Sequence, residues 1–66
     1  MMLDKALEHL RAKIDDKVNQ LQEYLADGNA ADFPEYKKLC GEIQGLLTAR
    51  LFTTDLQERL RDSDDE

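Results

Sequence analysis

Asp27-Gly28-Asn29-Ala30-Ala31-Asp32-Phe33-Pro34 is the one stretch that interrupts two otherwise helical segments, and its residues say how the interruption is made. Gly28 tolerates the left-handed backbone that closes a helix at its C-terminal end. Asp32 is a good N-cap, Pro34 suits the first turn that follows, and Glu35 stands three residues after the aspartate in capping-box position. A stop and a start this close together leave the second helix little course except back along the first.

On the N-terminal side, Leu3, Leu7, Leu10, Ile14, Val18, Leu21 and Leu25 fall within an arc of roughly 80° on a helix running from about residue 3 to 26. Their 3-4-4 spacing is heptad-like, with Lys17 interrupting one core position. A stripe so narrow implies one packing partner. The second helix, about 33–61, carries two stripes. Tyr36, Leu39, Ile43 and Leu46 form the first, flanked by Cys40 and Leu47. Gly41, Gly45, Ala49, Phe52, Leu56 and Leu60 form the second, rotated by about 100°. The first stripe is expected to meet helix 1, giving a core of Leu7, Leu10, Ile14, Leu21, Leu39, Ile43 and Leu46. The second begins with small residues that permit close approach and is the expected partner interface. Thr53-Thr54-Asp55-Leu56-Gln57 has a cap-like spacing, so a helix break near residues 53–54 is the alternative account of the rotated stripe.

The fold expected is all-α: an antiparallel, coiled-coil-like two-helix hairpin over residues 1–61, with a loop at 27–32 and an acidic tail at 62–66. Sixty-six residues make one small domain that is marginal by itself, and such scaffolds need a disulfide, a metal or self-association. One cysteine and one histidine supply neither a disulfide nor a four-ligand metal cluster. Dimerisation into a four-helix bundle, or docking on a larger partner, is the route left. The lone cysteine suggests a reducing compartment, and no apolar run or leader pattern points to a membrane or to export, so a cytoplasmic or virion location is expected.

Of the net charge of −6, Asp62, Asp64, Asp65 and Glu66 supply four; residues 1–61 hold eleven acidic against nine basic side chains, a balance of −2. Acids so placed do not imitate a nucleic acid, and the basic residues alternate with acids instead of gathering on one face, so no direct nucleic-acid binding is expected. His9 has no nucleophile within reach, and Cys40 has only Lys37 one turn back to activate it. The acids Asp15, Asp16, Glu23, Glu35 and Glu42 lack the Glu-x-x-His pairing of helical-bundle metal sites. The chain is therefore expected to be non-enzymatic, with no catalytic residue, cofactor or metal.

Asp32-Phe33-Pro34-Glu35-Tyr36-Lys37-Lys38-Leu39-Cys40-Gly41-Glu42-Ile43-Gln44-Gly45-Leu46 resembles a pattern in small acidic-tailed proteins of tailed bacteriophages. In those an aspartate–aromatic pair leads into Tyr-Lys-x-Leu-Cys-Gly-x-Ile-x-Gly-Leu, after a helix rich in leucine and glutamate. The resemblance implies a phage accessory or virion-associated component and no active site. In outline the chain is also similar to the plasmid-encoded Rop hairpin, a dimeric four-helix bundle that binds RNA loops, although no residue motif is shared and the basic face is missing. The function expected is a protein–protein interaction module, structural or adaptor in role, binding itself or a larger phage or host protein. The alternative is a phage-encoded regulator that binds and inhibits a host enzyme.

Overall fold

The computed structural model describes residues 2–64, with side chains through Asp62. Two helices, α1 (Met2–Ala26) and α2 (Phe33–Asp64), account for nearly all of it. The turn between them is closed from both sides. Gly28 adopts a φ of 76°. Its N–H donates to the Leu25 carbonyl (3.0 Å), and the Asn29 N–H donates to that of Tyr24 (3.2 Å), a Schellman closure of α1. Opposite it, the Glu35 N–H donates to Asp32 Oδ1 (2.9 Å) and the Ala31 N–H donates to Glu35 Oε2 (3.0 Å). The glutamate thus reaches one residue further back than a standard capping box.

The helices run antiparallel along their full length, from the Tyr24–Glu35 hydrogen bond beside the turn to the Gln57–Asp4 contact near the termini. On α1 the residues turned toward α2 are Asp4, Leu7, Arg11, Ile14, Val18, Leu21 and Leu25, all buried or half-buried, at a strict heptad spacing. On α2 the matching row is Leu39, Ile43, Leu46, Arg50, Thr53, Gln57 and Leu60, in which only Arg50 is exposed.

This seam corrects the expected core. Leu7, Ile14 and Leu21 are buried, with Val18 beside them; Leu39, Ile43 and Leu46 are half-buried; Leu10, expected inside, is 48% exposed. The apolar arc of α1 is not centred on α2: Asp4 and Arg11 occupy seam positions in the N-terminal turns, while Leu3 and Leu10 lie one residue to the side. The buried positions of α2 are Thr53 and Gln57, which the reading of apolar stripes passed over. Both satisfy their polar atoms. Thr53 Oγ1 donates to the Ala49 carbonyl (2.9 Å), and Gln57 Nε2 to Asp4 Oδ1 (3.5 Å). The hairpin therefore has a dry half beside the turn and a polar half toward the termini.

α2 passes through Thr53-Thr54 without a break, since the Thr53 hydroxyl bonds back into its own helix rather than capping a new one. It also continues past residue 61, through three positions of the expected acidic tail. Residues 65 and 66 of that tail lie outside the described residues.

Candidate functional site

Two hydrogen-bonded or charged pairs orient the hairpin's edges. On one edge Tyr24 Oη donates to Glu35 Oε1 (3.2 Å); on the other, Arg50 Nε donates to Asp15 Oδ1 (2.9 Å). Arg50 and Asp15 are each nearly half exposed, so their pair contributes about 1 kcal/mol at most.

Counting by heptads from Tyr24 and Glu35 along two antiparallel helices sets Lys17 level with Glu42, Leu10 with Ala49, and Leu3 with Leu56. The Tyr24 edge is thus polar beside the turn and apolar toward the termini. Leu3, Leu10 and Leu56 are each about half exposed, and Phe52, one turn before Leu56, is 70% exposed. Among the residues three or four positions from Leu3, Leu10, Ala49 and Leu56 there is no carboxylate; the charges there are Lys13 and Arg59. The Asp15 edge differs: a polar groove lined by Glu8, Arg11, Asp15, Gln57 and Arg61 runs along it toward the termini, and Leu47 and Leu51, the latter 70% exposed, lie beside Arg11 and Arg50 further along it.

The six residues expected to form the partner interface divide within this frame. Ala49 and Leu56 lie along the Tyr24 edge, whereas Leu60 closes the seam row; Ala49 and Leu60 are half-buried. Phe52, Gly45 and Gly41 follow on the outer surface of α2. A Cβ added at Gly41 or Gly45 would meet nothing within 4 Å, so no close approach inside this chain accounts for either glycine. Leu3 and Leu10 join the strip from α1. Sequence reading placed Leu10 in the core and Leu3 on the same stripe, because a stripe shows that a residue is covered without showing by what. No signal within α1 could have moved them, since the residue that takes the seam position after each, Asp4 and Arg11, is charged.

The possible reactive groups stay apart. His9 is exposed on α1. Cys40 is a half-buried free thiol, and hydrogen bonding with it raises the Tyr36 phenol above the ordinary tyrosine range. Phe33 and Tyr36 stack at 6.2 Å with the Lys37 ammonium 5.7 Å from the Phe33 ring, closing the turn end of α2. Among the described residues no group of three or more His, Cys, Asp or Glu side chains could hold a metal ion, and no helix is long and apolar enough to cross a membrane. Comparison with protein-family models, curated proteins and solved structures finds no match.

Proposed function

We propose that this chain is a non-catalytic protein–protein interaction module that pairs with a second copy through the apolar strip of the Tyr24 edge and so completes a four-helix bundle. Surplus surface carries this reading. A folded monomer of 7.6 kDa exposes about 4,300 Å² by the usual scaling with mass, whereas the hairpin exposes 5263 Å². The difference, about 1,000 Å², compares with the roughly 800 Å² that each partner contributes to a standard interface. Patterning agrees with it. In the terminal half, apolar residues occupy the edge position as well as part of the seam, the wider face of a helix that packs in a bundle. Pairing also supplies what the hairpin lacks, because no described side chain in it is fully buried.

The role this module plays is that of a phage accessory or virion-associated adaptor, as the likeness of residues 32–46 implies, working in the host cytoplasm or within the virion. Sedimentation at micromolar concentration tests the pairing. A dimer is expected, with Gly45→Leu weakening it by blocking approach and Glu8→Gln, on the Asp15 edge, leaving it intact. A 7.6 kDa monomer at every concentration would overturn the pairing. Mass spectrometry of purified virions against pull-down from infected cells tests the role: presence in the particle supports the adaptor, and capture of a host enzyme with inhibition of its activity replaces it with a regulator.

A further inference from the structure

We propose that the Asp15 edge is a second docking surface, which takes an amphipathic helix of another protein carrying a carboxylate one turn away from its apolar residues. The inference rests on the reading of the chain as a non-catalytic interaction module. It names the chemistry of the partner that such a module would hold.

The apolar part of this edge is not covered within the hairpin. Leu47, Leu51 and Thr54 follow one another at steps of four and three along α2, which sets them on one line beside the seam. Leu51 belongs to neither apolar stripe of α2 and to no seam row, yet it is 70% exposed. Together with Arg11 and Arg50 these three residues line a depression of about 400 Å³. Arg11 lines the adjoining polar groove as well, so it faces this edge from its place in the seam.

Charge says what would lie there. The residues lining the two depressions include Arg11, Arg50 and Arg61 against Glu8 and Asp15, three guanidinium groups to two carboxylates. Asp15 is already engaged with Arg50 at 2.9 Å. The other ion pair among the described residues is Arg59–Asp55, so half-buried Arg11 takes part in neither. A guanidinium beside exposed leucines favours a carboxylate, which it can hold with two parallel hydrogen bonds. Arginine set among large apolar side chains is also where interfaces concentrate their binding energy.

Three kinds of occupant compete, and the same features separate them. A second copy related by a twofold axis would bring the edge against itself, with Arg11 and Arg50 opposed to their own counterparts. A nucleic acid would meet Glu8 and Asp15 along with the arginines, and the leucines offer its phosphates nothing. A helix fits both parts of the edge. Its own residues, three and four apart, match the line of Leu47, Leu51 and Thr54, and an acidic residue one turn on reaches Arg11. The Tyr24 edge lies on the opposite flank of the seam, so pairing there and docking here do not obstruct each other.

The probe is a labelled helical peptide of about three heptads, with leucine at a and d and glutamate at e and g, whose like charges keep it from pairing with itself. Its counterpart carries lysine in place of glutamate. The glutamate peptide should bind and the lysine peptide should not, with amide NMR shifts gathered at Arg11, Leu47, Arg50, Leu51 and Thr54. Leu51→Asp, at an exposed position outside the seam, should weaken binding about tenfold or more. Arg11→Glu should move the preference toward the lysine peptide. Leu56→Asp, on the Tyr24 edge, should abolish pairing and leave peptide binding unchanged. A dimer that binds neither peptide, binds both equally, or shows its shifts along the Tyr24 edge overturns the docking surface and leaves the pairing standing. Displacement of the peptide by a single-stranded oligonucleotide overturns it too, assigning the arginines to phosphates. A chain that binds the glutamate peptide but sediments only as a monomer keeps the docking surface and overturns the pairing.

Discussion

Glu35 does three jobs. Its backbone N–H donates to the Asp32 cap, its Oε2 accepts from the Ala31 N–H, and its Oε1 accepts from the Tyr24 hydroxyl. That last contact fixes the level of one helix against the other, which is why the heptad rows of both can be counted from it. It also ties a titration to the fold. Hydrogen bonding to Glu35, followed by repulsion from its charge, raises the Tyr24 phenol above the ordinary tyrosine range. The folded chain therefore holds the phenolic proton more tightly than the unfolded chain. The contribution to stability is complete below the unfolded value and is lost as pH climbs through the raised one. Ultraviolet difference titration should show both tyrosines ionising late in the native protein. Glu35→Gln should return one of them toward the ordinary range and leave Tyr36, held up by Cys40, where it was. An unchanged titration in that variant would mean that the Tyr24–Glu35 bond does not persist in solution.

At the scale of the helix, the turn was legible in the sequence because each of its signals is local: Gly28 needs only its own φ, and the Asp32 cap only the three residues after it. The direction of each helix's apolar face was legible to within about one residue's rotation. The seam was harder to read, and Leu10 shows why. Leu3, Leu7, Leu10 and Ile14 make an unbroken stripe, yet the contact line follows Asp4, Leu7, Arg11 and Ile14. Polarity at Asp4 and Arg11 argues against burial, and at Asp4 only the facing helix's Gln57, which donates to its carboxylate, makes the position tolerable between helices. Such a match is non-local and cannot be seen from one stripe. The proposed partner surface divides for the same reason: its α2 residues read as an outward stripe and its α1 residues as part of the inward one. Two truncations separate these roles. Ile14→Ala, at a buried position, should cost about 2–5 kcal/mol in a dilute denaturant melt, a large part of the stability of so small a domain. Leu10→Ala should cost the isolated hairpin about 1 kcal/mol or less while weakening self-association. Equal destabilisation of the dilute hairpin by the two would return Leu10 to the core.

The whole molecule is a rod of 52 × 15 × 12 Å, with a Cα radius of gyration of 15.4 Å against about 11 Å for a compact chain of this length. A rod held by a single seam has no interior to lock all its parts together. Its cohesion varies along its length, and here it varies in one direction. Ile14, Val18 and Leu21 hold the half nearest the turn, where both helices are also capped. Buried Leu7 shares the other half with Thr53, Gln57, Asp4 and Arg11. Thermal opening should accordingly behave like a zip fastened at the turn: the chain ends separate first and often, and the turn parts only when everything else has. Amide hydrogen exchange should record this as a slope, with protection highest from Ile14 to Leu25 and from Leu39 to Leu46 and declining toward both termini. Folding would retrace the same course, beginning where sequence neighbours already touch and needing few distant contacts, which places the hairpin among fast-folding chains. A second copy laid across the terminal strips would fasten the loose end. The slope would then flatten as protein concentration rises, so the dynamics of a single chain would report how often it has company.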